Sequence, residues 1–252
     1  MSSRVSRYHR VMLSGHLKQY RVPAMLMAGT PLVLAMDARW PSLVVQALLG
    51  AVCTRVLVVL SRGLSLHQRQ AVWVCVGVAT LIELFGSVFW GVYRYRLHNV
   101  PLFVPPGHGL VYLCGLRLAV TPLFARRPRV TVRFTLAVAG AWAAFGLLIS
   151  PWLLGRTDVL GAFFAIYFAY FVLRTRRAAF FAAIFFLTSW LELWGTGLGD
   201  WAWVAHAPGI GVGSGNPPSV IAGAYCVLDA IVIVLCKRYA QKADAVAPAA
   251  AA

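Results

Sequence analysis

Charged side chains are scarce in this sequence, and acidic ones are the scarcest. Only 12% of its 252 residues are charged, with 7 Asp and Glu against 23 Lys and Arg, while 60% are hydrophobic and the mean hydropathy is +0.75. So few polar side chains cannot cover the surface of a soluble globule. The composition therefore predicts a multipass helical membrane protein.

The positions of the cations argue against nucleic acid, which a net charge of +16 would otherwise indicate as a partner. Lys and Arg fall between long apolar runs, where they orient membrane spans. The five cysteines lie inside apolar runs and have no CxxC spacing, so we interpret them as core residues. The expected partners are the lipid bilayer and a lipophilic small molecule, with no nucleic acid.

Apolar runs predict an all-α bundle of about eight transmembrane helices. The runs are bounded by Arg clusters or by Pro and Gly. They lie at residues 22–36, 43–61, 71–93, 108–125, 134–154, 159–173, 178–198 and 219–236. The first is shorter than the roughly 20 residues that a bilayer requires, so it must extend back to residue 18 or re-enter the membrane.

The basic residues are distributed unevenly between the loops. Most lie in the N-terminal segment and in the loop after every second span, whereas the opposite loops hold Arg39, Arg94, Arg96 and Arg156. The positive-inside rule then places both termini in the cytoplasm of an inner-membrane protein. An odd number of spans would scramble this distribution, so it favours eight.

The two halves of the sequence correspond at offsets of 109 to 112 residues. Glu83 matches Glu192, and the proline pair at 105–106 matches the pair at 217–218. Four spans per half is an even number, so the copies would insert with the same topology, related by an axis along the membrane normal. We therefore predict two parallel four-helix repeats.

This organisation divides the chain into five segments. The basic segment 1–21 is either a short helix on the anionic leaflet or a solvated tail. The repeats occupy 22–125 and 134–238, joined by the basic cytoplasmic linker 126–133. The low-complexity tail 239–252 is predicted to be disordered.

Three of the seven acids fall inside predicted spans, namely Glu83, Glu192 and Asp229. A charge there costs at least ~2.5 kcal/mol on insertion scales, so such residues persist when paired, protonated or functional. The repeat would face the two glutamates toward one cavity, and a carboxyl group that burial keeps protonated suits general-acid catalysis. The alternative is a structural hydrogen bond to backbone or to Arg94 and Arg96. All three acids are catalytic candidates.

Asp229 also has an alternative interpretation. It stands at nearly the same repeat position as Arg117, and an intramembrane ion pair would spare both charges the cost of isolation. If Arg117 instead extends to the cytoplasmic headgroups, Asp229 becomes a third acid for the site.

Prolines and glycines in the outer loops predict a lid over an outward-facing cavity. Broken helices leave backbone groups free, which a membrane tolerates only beside protein or a water-filled cavity. The substrate-binding candidates are Trp90, Tyr93, Tyr95, His98, Asn99, His108, Tyr112, Arg117, Asp200, Trp201, Trp203, Asn216 and Tyr225.

Because HxxH, HxxxH and ExxH spacings are absent, we predict no metal and assign no cofactor. Interfacial belts explain many of the aromatics, but such rings would also hold an isoprenoid or acyl chain and stabilise a carbocation.

One stretch resembles a known family. Glu83 and Gly86, followed by GVYRY at 91–95 and NVPLFVP at 99–105, are similar to the bacterial and archaeal carotenoid-hydratase-like membrane proteins. In that family a glutamate-bearing span precedes a G-x-Y-x-Y stretch and a G-V-P-L-x-V-P stretch. The resemblance covers about 25 residues, has Asn99 in place of glycine, and does not include the PPGH that follows.

A looser similarity links the chain to small integral-membrane terpene cyclases. Those enzymes use one acid in an early span and one in the last, places that Glu83 and Asp229 would fill. Both resemblances imply acid-initiated hydration, cyclisation or isomerisation of an isoprenoid or carotenoid double bond, the chemistry of a lyase or isomerase.

Three hypotheses follow. In the first, an inner-membrane enzyme uses Glu83 to protonate an alkene, ring faces to stabilise the cation, and Glu192 or Asp229 to position water or take the final proton. In the second, the chain is a small transporter or lipid-binding protein, and its two repeats rock about the acids at the membrane midplane. In the third, an accessory subunit binds a partner through its outer loops. The sequence leaves the substrate and the oligomeric state open.

Overall fold

The computed structural model describes residues 2–246 and, within them, the side chains of residues 18–237. The long helices are α1 (Ser2–Arg39), α2 (Leu43–Ser61), α3 (Leu66–Glu83), α4 (Val104–Ala119), α6 (Pro128–Leu148), α8 (Val159–Arg174), α9 (Ala178–Leu198) and α10 (Ala222–Val246). The short elements are β1 (Tyr93–Tyr95), α5 (Pro122–Ala125), α7 (Ser150–Leu153) and β2 (Trp201–Trp203). The described chain is predominantly helical, which confirms the all-α part of the predicted fold class.

Four helices in the described part of the chain are long and apolar enough to cross a membrane. They are α2, α3 together with its π-helical continuation Leu84–Trp90, α6 and α9. Each of the eight predicted spans overlaps one long helix. Eight crossings and the duplication stay predictions.

Polar side chains and glycines define several helix ends. Ser65 begins α3 with a reciprocal capping box to Gln68. Asp158 begins α8 by accepting the Gly161 N–H. Gly91 and Gly199, with φ of 71° and 73°, end the π-helical turn and α9 in the left-handed region that glycine favours. Both glycines therefore turn the chain back over the helix that it has just left.

Helix α1 differs from the sequence-based expectation. The predicted boundary at residue 22 falls inside one continuous helix that contains Pro23 and Pro31. Pro31 has no N–H to give the Met27 carbonyl four residues earlier. The indole Nε1–H of Trp190 on α9 donates to that carbonyl instead, at 2.9 Å. The Trp190 side chain, distant in sequence, thus supplies the hydrogen bond to the Met27 carbonyl that Pro31 cannot supply.

The predicted tail also begins too early. Helix α10 continues to Val246, through the first eight residues of the segment 239–252. Lys, Gln and Ala in that stretch are good helix formers, which explains the extension. Residues 247–252 lie outside the described part of the chain.

Helices α3, α4, α9 and α10 form the centre of the bundle. Helix α4 packs on α3 and α9, and α10 packs on the same two helices. Helix α1 lies outside α4 and α9, α2 lies against α4, α8 against α10, and α6 against α8 and α9. The central apolar core contains fully buried phenylalanines, among them Phe168, Phe181 and Phe185. Glu83 of α3 and Glu192 of α9 both lie at the end of the core next to β1 and β2, which we call the outer end.

Two short strands, which the sequence analysis did not predict, close this outer end. Strands β1 and β2 pair antiparallel, with Tyr93 opposite Trp203 and Tyr95 opposite Trp201. Side chains alternate across a strand, so these four rings point into the protein while Arg94 between them points out. The strand pair is a ceiling of aromatic rings over the central helices.

Candidate functional site

Glu83 ends α3 beneath this ceiling and is surrounded by hydrogen-bonding side chains. Its Oε2 accepts the hydroxyls of Tyr93 at 2.8 Å and Tyr95 at 2.6 Å. Its Oε1 lies 2.8 Å from Nε2 of His108 on α4. The glutamate is only 6% exposed, so this set of partners replaces the water that its carboxyl group has lost.

The local sequence explains how the tyrosines reach Glu83. The π-helical turn Leu84–Trp90 and the left-handed Gly91 reverse the chain, and β1 returns above α3. Gly86 makes room for the returning ring, because a Cβ there would lie 2.9 Å from the Tyr93 hydroxyl oxygen. The G-x-Y-x-Y stretch is therefore a device that brings two phenols to one carboxylate.

Glu192 on α9 is held in a closely similar way. Its Oε2 accepts the indole N–H groups of Trp201 at 2.9 Å and Trp203 at 3.1 Å, and its Oε1 lies 3.4 Å from the Tyr225 hydroxyl. Gly195 has the place that Gly86 has beside Glu83, since a Cβ there would collide with the Trp201 ring. At Glu192, therefore, two tryptophans donate the hydrogen bonds that two tyrosines donate at Glu83.

Stacked rings connect the two glutamates. The imidazole of His108 lies against the phenol of Tyr225, with centroids 5.3 Å apart and planes 19° from parallel. Phenol and indole groups donate hydrogen bonds but keep their protons near neutral pH, whereas imidazole gains and loses one. His108 is therefore the partner with which Glu83 can exchange a proton.

Both glutamates reach a cavity of about 530 Å³. Its walls come from α1, α2, α3, α4, α8, α9 and α10, and its ceiling from β1 and β2. The walls are mostly aliphatic and aromatic, and no Lys or Arg of the described chain lines them. Some lining side chains, including Met25, Leu32 and Phe85, are also exposed on the outside of the bundle. The cavity thus lies close to the bundle's apolar outer surface.

The structure brings nine of the predicted site residues together at this cavity. They are Glu83, Trp90, Tyr93, Tyr95, His108, Glu192, Trp201, Trp203 and Tyr225. The structural alternative that placed Arg94 or Arg96 on a glutamate is not observed. Arg94 is exposed, and Arg96 donates to the carbonyls of Ala38, Leu198 and Gly199.

Asp229 lies outside the cavity walls, and the predicted ion pair is not formed. Arg117 points toward the loop after α2, where its Nη2 lies 3.4 Å from the Gly63 carbonyl. Asp229 is 3% exposed, and its Oδ2 has no hydrogen-bond partner among the described residues. The correspondence in position did not bring the two side chains into contact. Asp229 is not among the residues that line the cavity, so its direct role in catalysis stays a prediction.

The remaining candidates have other surroundings. Tyr112 packs in the core against Phe180, with ring centroids 5.2 Å apart. His98 is exposed at the turn after β1. Asn99 donates to the Gln46 side chain of α2, Asp200 lies beside Arg96, and Asn216 accepts the backbone N–H of Trp203 in β2. None of them lines the cavity, and their contact with substrate stays a prediction.

Sequence reasoning missed one acid that shapes the outer loops. Asp158 accepts the backbone N–H groups of Gly161, Gly215 and Ser219, and so fastens the second proline pair to the start of α8. Its position before an apolar run is typical of a helix N-cap, a signal that was available in the sequence.

Metal-ligand geometry is not evident in the part of the chain that the structure describes, where no three His, Cys, Asp or Glu side chains form a suitable group. Comparison with protein-family models, curated proteins and solved structures finds no match to this chain.

Proposed function

We propose that this protein is a membrane enzyme that protonates a carbon–carbon double bond of a lipid-soluble, isoprenoid-like substrate. The observation that supports this most is the 2.8 Å contact between Glu83 and His108 at the wall of an apolar, ring-lined cavity. A proton-exchanging pair buried beside apolar walls suits acid chemistry on an alkene, since water would compete for the proton and the cation.

Different residues of the chain carry out the successive steps of this reaction. The Glu83–His108 pair supplies the proton, while Tyr93 and Tyr95 fix the orientation of the carboxylate. The faces of Trp201 and Trp203 stabilise the cation that forms on the substrate. Glu192 then takes a proton from the carbon next to the cation, giving an isomeric alkene, or from a water that attacks the cation, giving an alcohol. Where a second double bond of the substrate attacks the cation first, a ring closes, and Glu192 takes the proton from the carbon next to the new cation.

The lining also favours a neutral substrate. Phosphate groups are usually held by Arg, Lys or metal ions, and no Lys or Arg of the described chain lines the cavity. A volume of about 530 Å³ lies within the usual range for small-molecule sites. A hydrocarbon or a neutral isoprenoid alcohol fits these walls better than a prenyl diphosphate. The distribution of basic residues favours an inner-membrane location with cytoplasmic termini.

The test compares lipid extracts from cells that produce the wild-type chain, Glu83→Gln or Asp229→Asn. Glutamine keeps the size of Glu83 but cannot exchange its proton, so we expect the lipid that changes in wild-type cells to remain unconverted. Asp229→Asn is the matched control, because this buried acid lies outside the cavity, and it should retain turnover. Equal conversion by Glu83→Gln and wild type would overturn the proposal.

Transport of a lipophile is a second candidate, favoured by the exposed side chains at the cavity's edge. It predicts transfer of an unaltered lipid between leaflets of proteoliposomes. A chemically changed lipid in the same vesicles would decide for the enzyme.

A further inference from the structure

A second group of buried polar side chains lies outside the cavity, at the outer end of α1. Asp37, two residues before the end of α1, and Asp200, directly before β2, are each 1% exposed. Their carboxyl groups lie within hydrogen-bonding reach of each other. Asp37 also accepts a long hydrogen bond, at 3.5 Å, from Gln46 of α2.

Donors for these carboxyl groups are too few if both are ionised. Oδ1 of Asp37 and both carboxyl oxygens of Asp200 are buried and have no N–H or O–H donor among the described residues. The charged group that faces the pair is Arg96, directly after β1, at 3.6 Å from Asp200 Oδ1. Its Nε, Nη1 and Nη2 already donate to the carbonyls of Gly199, Ala38 and Leu198. One arginine therefore faces two acids while its hydrogen bonds go to main-chain oxygens.

We propose that Asp37 and Asp200 share one proton, and that this acid pair holds the outer end of α1 against the strand ceiling, closing one wall of the cavity. Two carboxyl groups in contact cannot both ionise without strong repulsion, and a shared proton supplies the missing donor. The proton turns a repulsive contact between α1 and β2 into a hydrogen bond.

The part of α1 that the pair controls is well placed to move. Residues of α1 from Met25 to Leu34 line the cavity, and α1 lies on the outside of the bundle. Pro31 interrupts the hydrogen-bond ladder of α1, and prolines are the commonest sites of sharp helix kinks. The residues between Pro31 and Arg39 can therefore turn outward while Trp190 holds the helix at Met27.

The pH dependence follows from the surroundings of Asp200. Burial and the neighbouring Asp37 carboxyl raise the pKa of Asp200 from 3.8 to about 7, although the Arg96 guanidinium opposes the shift. In an open arrangement water would restore the ordinary pKa. Closure is therefore favoured at low pH, and the open-to-closed ratio rises about tenfold per pH unit until pH 7, where it levels off. From pH 5 to 7 the ratio should rise about 50-fold, because the closed arrangement is itself half ionised at pH 7.

The experiment measures the distance between α1 and β2 by double electron–electron resonance between two spin labels, with the protein in lipid nanodiscs. Spin labels are attached to Arg39→Cys and Ala202→Cys, which replace exposed residues, and the unmodified chain controls for labelling of the five buried native cysteines. We expect one short distance at pH 5 and a growing longer population up to pH 7. This readout is independent of any reaction in the cavity.

Two variants separate the acid pair from other causes. Asp200→Asn gives Asp37 an amide donor that does not titrate, so the short distance should persist at every pH. Asp37→Asn does the same from the other side and serves if the first variant does not fold. A wild-type distance that is unchanged between pH 5 and 8 would overturn the proposal, as would a pH response that both variants retain.

Discussion

Tyr93 and Trp203 lie opposite each other across the paired strands, with ring centroids 4.7 Å apart, yet they hydrogen-bond different glutamates. Tyr93 donates to Glu83 and Trp203 donates to Glu192. The same alternation holds for Tyr95 and Trp201. The pairing of β1 with β2 therefore sets the position of one acid relative to the other.

Removing one phenol hydroxyl tests how strongly Glu83 depends on this ceiling. Tyr95→Phe deletes the 2.6 Å hydrogen bond and leaves a buried carboxylate oxygen with one donor fewer. We expect the free energy of unfolding to fall by about 1–3 kcal/mol, and turnover to fall with it. Thermal unfolding in detergent and lipid conversion measure the two effects. Tyr170→Phe, at an exposed tyrosine, is the control, and equal unfolding temperatures for the two variants would contradict the prediction.

Gly195 tests the packing beneath Trp201. A Cβ at this position would collide with the indole ring, so Gly195→Ala must displace Trp201 from Glu192. We expect a destabilisation of about 1–3 kcal/mol, the usual cost of overpacking. Gly197→Ala on the same helix meets nothing within 4 Å and should be neutral or slightly stabilising. Thermal unfolding compares the two, and a tolerant Gly195 would show that the ring has room to move.

Arg96 tests the junction of α1 and α9. Its guanidinium reaches carbonyls at the ends of both helices, where partial negative charge accumulates. Arg96→Lys keeps the charge but places all its donors on one nitrogen, which cannot reach three carbonyls that Nε, Nη1 and Nη2 now bind separately. We therefore expect a loss of at least about 2 kcal/mol, since hydrogen bonds to charged groups contribute about 1.5–3 kcal/mol each. Hydrogen exchange should accelerate at residues 36–40 and 198–200. The matched control is Arg94→Lys, whose exposed side chain points away from the protein, and identical exchange in the two variants would refute the role of Arg96.

The helices were predictable because the apolar runs, and the Pro, Gly and Arg residues that bound them, can be read directly from the sequence. Helix α1 was the exception: the predicted start at residue 22 falls inside a helix that also contains Pro31, and the donor that compensates for this proline, Trp190, comes from far along the chain. The strands were also beyond prediction, because three residues are too few to show a period of two.

The site was predictable only in part. A buried acid, an aromatic pair and a glycine at matching intervals indicated that Glu83 and Glu192 belong to one cavity, and both line it. Which group donates to which oxygen depends on ring positions that no spacing reveals. The same matching intervals misled for Arg117, because a shared offset in sequence does not bring two side chains into contact, and this one reaches the loop at Gly63.

The strand pair joins residues about 110 positions apart, which imposes an order on biosynthesis. Glu83 acquires its tyrosines and His108 from the first half of the chain, long before β2 leaves the ribosome. Until then the edge of β1 is unpaired and Glu192 has not been made. The nascent first half therefore lacks the part of the cavity ceiling that β2 supplies, and the arrival of Trp201 and Trp203 is the step that completes it.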